Sequence, residues 1–260
     1  MRVLDSIRGL LFDLDGVLYV GNQVIEGAPE TIQTIKRKGI KCRFVTNTTT
    51  KSKEDIHTAL IQMGFNIEKH EIINPPYAAV YYLRQLGSPS CFLLLAEEVI
   101  GEFSEFRQTE ENPDVIILGD IGDSWNYNIL NKVFQLMMNG AKLVALHKGR
   151  FWQTEDGLQM DIGAFIAGLE YVTGKQATII GKPSKFYFDM ALKELSLPAK
   201  NVAMIGDDVI SDVGGSQNSG LFGILVKTGK FRDDYVTKSG VKPDLILESI
   251  NDLAKYLVGF

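Results

Sequence analysis

Residues 202–215 read VAMIGDDVISDVGG. A run of apolar residues leads straight into Gly206, followed by Asp207, Asp208 and, five residues after Asp207, Asp212. A short, continuously apolar run is the pattern of a strand buried on both faces, as in a parallel sheet covered by helices. Three acids just past such a strand repel one another and are poorly hydrated, so clustering them is costly unless a cation sits among them. Ligands that are all oxygen select a hard ion, and a site shared with phosphate and water suits Mg2+.

Outward from this stretch the chain alternates strand and helix. On the N-terminal side, Gly9–Phe12 reads as a strand, Pro29–Arg37 as a helix ended by Gly39, and Cys42–Val45 as a second strand. Lys53–Met63 reads as a helix, with Ile56, Ala59, Leu60 and Met63 on one face and Gly64 closing it. Toward the C-terminus, Thr178–Ile180 reads as a short strand and Ser184–Leu195 as a helix. Val209–Ser219 reads as a helix despite Gly214 and Gly215, Phe222–Val226 and Leu245–Leu247 as strands, and a last helix begins near Ser249. This pattern predicts an α/β fold with a Rossmann-like parallel-sheet core covered on both faces.

Between these blocks lies a stretch with its own rhythm. Helices are expected over Pro76–Leu86, Glu97–Phe106, Tyr127–Met138 and Asp161–Val172, and strands over Cys91–Leu95, Val115–Leu118 and Lys142–Ala145. Pro75 and Pro76 open it and Gly181 closes it. The expected division is a core of residues 1–74 and 181–260 with an inserted α/β domain at residues 75–180.

In an open α/β sheet the ligand crevice lies at the carboxyl ends of the strands, so the polar residues that end each strand are the candidates. Asp13 and Asp15 end the first strand in FDLDG, where Gly16 lets the chain turn away; two acids starting a plain turn would look the same. The second strand ends in FVTNTT, where Thr46 and Asn47 offer groups able to hold phosphate oxygens, although the cluster also reads as an ordinary helix cap. In IIGKPSK, Lys182 follows a short strand and Pro183 opens a helix. A surface lysine is the bland reading; a lysine facing several carboxylates would offset charge between them and a phosphate.

Composition limits the partners. With 27 Lys+Arg against 32 Asp+Glu the net charge is −5, without a basic run, which argues against nucleic acid or an anionic membrane surface. Cys42 and Cys91 each sit in an apolar stretch and read as buried thiols of a reducing compartment. No apolar stretch approaches a membrane helix, so a cytoplasmic location is expected. His57 and His70 lack ligand spacing, and Tyr81–Tyr82 reads as packing.

An Asp pair, a threonine, a lysine and a GD-x4-D cluster, each after its own strand and in that order, resemble the haloacid dehalogenase-like superfamily. An insertion after the threonine motif and before the lysine motif resembles its subclass with a large α/β cap, type C2. FVTNTT, HKGRFW, GLQMDIGAF, IIGKP, MIGDDVISDVGG and ILVKTGKFR are similar to phosphatases of that subclass over nearly the full length. The resemblance implies a Mg2+-dependent phosphatase, p-nitrophenyl phosphatase-like, acting on a small phosphorylated metabolite through an aspartyl-phosphate on Asp13. Asp15 would be the general acid and base. Thr46, Asn47 and Lys182 would bind the phosphate, and Asp13, Asp207 and the backbone carbonyl of Asp15 would hold the metal. Asp208 or Asp212 would act through water or orient Lys182. The cap segment with His147, Lys148, Arg150 and Trp152 reads equally as a substrate contact or a plain hairpin surface, and a homodimer is compatible with the subclass. The competing functions are a phosphotransferase or mutase using the same intermediate, a dehalogenase, which needs neither the metal nor Asp15, and a receiver-like signalling module, for which the insertion is superfluous.

Overall fold

The apolar runs become the strands of two separate parallel sheets. The computed structural model describes Leu4, residues 6–154 and residues 157–256. Its strands in chain order are β1 (Gly9–Phe12), β2 (Tyr19–Val20), β3 (Gln23–Val24), β4 (Lys41–Val45), β5 (Ile72–Ile73), β6 (Cys91–Leu94) and β7 (Val115–Leu118). They continue with β8 (Lys142–Ala145), β9 (Phe151–Thr154), β10 (Gly157–Met160), β11 (Thr178–Ile179), β12 (Val202–Gly206), β13 (Phe222–Val226) and β14 (Leu245–Leu247).

The chain forms two units, one of Met1–Thr46, Lys53–Ile73 and Lys182–Phe260, the other of Asn47–Ser52 and Asn74–Gly181. In the first, six parallel strands lie in the order β14-β13-β12-β1-β4-β5. Every residue of β1 and β12 is buried, which is why both read as unbroken apolar runs. One face packs Leu10, Phe12, Phe44, Ala203 and Ile205 against helix Ala28–Arg37, whose Ile32 and Ile35 are buried. Phe12 and Phe44 stack across adjacent strands with centroids 5.6 Å apart.

In the second unit four parallel strands lie in the order β11-β8-β7-β6. Ile116, Leu118, Leu143 and Ala145 pack on Val133 and Met137 of helix Tyr127–Met138 and Ile166 of helix Gly163–Thr173. Asn126 caps the first of these by accepting from the Ile129 amide at 3.1 Å. No helix among the described residues is long and apolar enough to cross a membrane.

Several elements differ from the sequence reading, which also named none of the short strands β2, β3, β5, β9 and β10. β11 does not join the strands around Val202–Ile205 but pairs in parallel with β8 in the second sheet. Two residues carry too little pattern to say which sheet they extend. The stretch Glu97–Phe106 is helical only to Ile100, then tightens into a 3-10 turn at Gly101–Phe103; Gly101 is a weak helix former. Val209–Gly214 is a π-helical turn, followed by a short α-helix, Gly215–Asn218. Helix Asp233–Ser239 has no buried residue and therefore no apolar stripe by which to recognise it.

Candidate active site

The strand order reverses at β1. From there the chain builds outward through β4 to β5 on one side and later through β12 and β13 to β14 on the other. Such a switch point leaves a crevice at the carboxyl ends of the two central strands. Asp13 stands at the end of β1, its amide donating to the Ile205 carbonyl at 2.9 Å, and Asp207 stands at the end of β12.

Lys182 lies between Asp13 and Asp212 in charge as well as in space. Its side chain is 2% exposed, and its Nζ donates to Asp13 Oδ1 at 2.7 Å and lies 2.7 Å from Asp212 Oδ1. Burial alone would favour a neutral amine, but Asp13 and Asp212 outweigh it, so its pKa is raised above that of an ordinary lysine. Asp212 is wholly buried, and that burial raises its pKa against the opposing pull of Lys182. Asp208 serves the backbone instead: its Oδ1 accepts from the Ile210 and Ser211 amides at 2.9 and 3.0 Å.

The π turn explains the glycines of this motif. Asp212 folds back over the end of β12, and a Cβ on Gly206 would stand 2.2 Å from the Asp212 Cβ. Gly215, which looked like a helix breaker, lets the next helix meet the Lys182 segment: a Cβ there would stand 2.8 Å from Pro183 Cα. The glycines thus allow Asp212 to reach Lys182. π turns recur where a functional side chain must be redirected within a helix.

Asp207 is 2% exposed. Its Oδ2 accepts from the Lys230 amide at 2.7 Å, while its buried Oδ1 has no hydrogen-bond partner among the described residues. Burial, then Asp13 and then Asp212 push its pKa up. Carboxylate oxygens of Asp13, Asp207 and Asp212 lie within 4.8 Å of one another. An orphaned buried carboxylate oxygen in an all-oxygen cluster is the environment a hard dication satisfies, so the residues fit Mg2+.

Asp15 differs from the other acids in being exposed. It follows Asp13 by two residues, at a turn where Gly16 has φ +89°, and its Oδ1 accepts from the Gly21 amide at 3.3 Å. Partial desolvation in the recess raises its pKa; the Gly21 bond opposes this, Asp13 adds to it and Lys230 subtracts.

Thr46 follows β4 and is 4% exposed, its amide donating to the Ile73 carbonyl at 3.1 Å. The buried Tyr187 hydroxyl stands 2.8 Å from the Thr46 carbonyl and 2.6 Å from that of Ile73, fixing the ends of β4 and β5 together. Asn47 belongs to the second unit, where its Oδ1 lies against Gly181. The structure therefore gathers Asp13, Asp15, Thr46, Lys182 and Asp207 at the strand ends of the first unit, and Asn47 groups elsewhere.

Also in the second unit, His147 is 8% exposed, with Nδ1 accepting from the Gly149 amide at 3.1 Å and 3.6 Å from Asp161 Oδ2. Lys148 pairs with Glu170 at 2.5 Å, and Arg150 is exposed. The Trp152 side chain lies outside the described residues.

Sequence reasoning assigned no role to Thr228, Gly229 and Lys230. They follow β13, so the strand-end rule that found the other candidates also reaches them. They carry no carboxylate to draw attention.

Comparison with known proteins agrees with this geometry. A family model described as haloacid dehalogenase-like hydrolase matches residues 10–107, and one described as HAD-hydrolase-like matches residues 179–253. Haloacid dehalogenase-like hydrolase domain-containing protein 2 of Pongo abelii is 36% identical over 96% of this chain and 95% of its own. Phospholysine phosphohistidine inorganic pyrophosphate phosphatase of Homo sapiens is 35% identical over 98% of this chain and 96% of its own. Among solved structures, a 4-nitrophenylphosphatase from Thermotoga maritima superposes with a TM-score of 0.91 at 27% identity, covering 98% of this chain and 99% of that one. The chain belongs to the haloacid dehalogenase-like hydrolases, among their phosphoric-ester hydrolases.

Proposed function

We propose that the protein is a Mg2+-dependent phosphatase that hydrolyses a small phosphorylated metabolite through a phospho-aspartate on Asp13. The observation that carries this reading is the buried Lys182, held between Asp13 and Asp212, together with an Asp207 whose buried Oδ1 has no hydrogen-bond partner among the described residues. A lysine that donates to one Asp13 oxygen orients that carboxylate as a nucleophile. Asp13, Asp207 and the Asp15 carbonyl would hold Mg2+, which would supply positive charge to lower repulsion between the anionic nucleophile and the phosphate.

In the first half-reaction an Asp13 oxygen bonds to phosphorus as the bond to the leaving oxygen breaks, and Asp15 gives that oxygen its proton. In the second, Asp15 takes a proton from water, the water oxygen bonds to phosphorus, and the Asp13–phosphorus bond breaks to release inorganic phosphate. Lys182 and Thr46 hold the phosphoryl oxygens over which negative charge is spread. Asp15 suits its part because it is reachable from solvent and its pKa is raised, which favours a protonated acid. In this reading residues 75–180 are the C2-type cap.

The test is phosphate release from p-nitrophenyl phosphate and from a panel of phosphometabolites, with Mg2+ and with chelator. Release that needs the metal is expected. Undiminished release in chelator contradicts the reading, and transfer to an added alcohol without net release would make the protein a phosphotransferase.

Asp15→Asn supplies a sharper test of the proton transfer. p-Nitrophenolate leaves without protonation, whereas an alkoxide does not. The variant should therefore lose about 10²–10³-fold more kcat on alkyl phosphates than on p-nitrophenyl phosphate, within the range general acids provide. An equal loss on both substrates removes Asp15 from the role of general acid.

A further inference from the structure

The Asp207 carboxylate is gripped on one oxygen and bare on the other. Oδ2 accepts from the Lys230 amide at 2.7 Å, while Oδ1 is buried and unpartnered among the described residues. Two glycine backbones close on the gripped side. A Cβ on Gly229 (φ +61°) would stand 2.1 Å from Oδ2 and 2.5 Å from Gly16 Cα, and a Cβ on Gly16 would stand 2.0 Å from the same Oδ2. Thr228 Oγ1 donates to the Gly16 carbonyl, tying the loop after β13 to the turn that carries Asp15.

We propose that residues 228–230 are a positioning element of the metal site, fixing the Asp207 carboxylate by its outer oxygen so that Oδ1 faces Asp13 and Asp212. The inference rests on the metal-dependent reading above and extends it to residues with no carboxylate of their own. A carboxylate rotates easily about its last bond, so two acids at the right places do not yet make a defined site. A backbone donor on one oxygen removes that freedom, as outer partners of metal ligands do generally. The charge-assisted N–H···O bond is the stronger kind, and it comes from the main chain, where no side-chain rotamer can withdraw it.

The side chain of Lys230 has the opposite effect. Lys230 is exposed, its ammonium attracted first by Asp207 and then by Asp13, Asp208 and Asp212, and a cation so attracted opposes the entry of a second one. The loop therefore acts in two ways that mutation separates: the main chain builds the site, and the lysine charge weakens its hold on a dication.

The experiment compares Thr228→Val, Thr228→Ser and Lys230→Ala with the wild type in the full chain. Mg2+ affinity is read by titration calorimetry, folding by melting of the metal-free protein, and kcat at saturating Mg2+. Thr228→Val should weaken Mg2+ binding by about 10-fold to 100-fold, the range for lost outer-shell partners. Its metal-free melting should be near that of the wild type, and kcat should recover at saturating metal. Thr228→Ser, which keeps the hydroxyl, should bind as the wild type does. Lys230→Ala keeps the amide and should bind Mg2+ at least as tightly as the wild type. Unchanged affinity in Thr228→Val overturns the proposal, as does a loss matched by equal destabilisation of the metal-free protein. A loss in Lys230→Ala as large as that in Thr228→Val also overturns it, because the side chain would then be the element that matters. Wild-type protein that binds no Mg2+ overturns the metal-dependent reading as well; normal wild-type binding with an unaffected Thr228→Val overturns this inference alone.

Discussion

Asp13→Asn is expected to abolish turnover, lowering kcat by at least about 10³-fold, as removing a nucleophile does in other enzymes with covalent intermediates. The amide has almost the same shape as the carboxylate but no negative charge and little nucleophilicity. The loss should be independent of the leaving group, because bond formation to phosphorus fails before proton transfer matters. That pattern separates Asp13 from Asp15, whose replacement should discriminate among leaving groups. The fold should persist, since the Asp13 amide still donates to the Ile205 carbonyl in the sheet ladder. Steady-state kinetics together with melting temperature check both halves of the prediction. More than trace hydrolysis from well-folded Asp13→Asn would require a different nucleophile.

Lys182→Met should be damaging in two independent ways. The side chain is buried and its ammonium is the near counter-charge of both Asp13 and Asp212. Taking one member from a buried ionic group leaves its partners uncompensated, which costs about 3–5 kcal/mol. For a chain of this size that is a fall in melting temperature on the order of 10 °C in the metal-free protein. Activity should fall by about 10²–10³-fold as well, because a preorganised cation facing the transferring phosphoryl group is lost. The double variant Lys182→Met with Asp212→Asn removes one orphaned charge along with the lysine, and should recover part of the stability and none of the activity. Recovery of both, or a single variant as stable as the wild type, would mean that Lys182 is not the charge balance of this site.

How much of this was legible beforehand depends on the kind of signal. β1, β12 and β13 were readable because a strand buried on both faces has no polar alternation, whereas β4 carries Lys41 and Arg43 and β14 is three apolar residues only partly buried. The candidates at the ends of β1, β4 and β12, namely Asp13, Asp15, Thr46 and Asp207, followed from the rule that ligands gather at carboxyl ends, whereas Lys182 follows β11 of the other sheet and stood out as a lysine able to balance several carboxylates. What stayed hidden was mostly long-range. Nothing local in Thr178–Ile179 says that it adds to β8, since strand pairing is decided by the partner. Tyr187 reads as one more aromatic on a helix, and only the fold shows its hydroxyl joining the ends of β4 and β5.

The glycines tell the same story from the other side. Gly214 and Gly215 argue locally against a helix, and their cause lies in the close approach of Pro183 to Gly215 and in the π turn that redirects Asp212. Gly229 has φ +61° and is pressed between Asp207 and Gly16, contacts made by residues more than 20 positions away. The roles of Asp208 and Asp212 were interchangeable on paper. The structure separates them, giving Asp208 to the Ile210 and Ser211 amides and Asp212 to Lys182.

The covalent intermediate is the most direct point of attack on the whole account. Wild-type protein mixed with Mg2+ and p-nitrophenyl phosphate, quenched in acid within milliseconds and digested, should yield one phosphorylated peptide from the FDLDG segment with the added mass on Asp13. Its amount should rise with the first turnover, and the label should be absent from Asp13→Asn and from samples quenched in chelator. Rapid release of p-nitrophenol with no labelled peptide, or a label mapped to any other residue, would contradict the account.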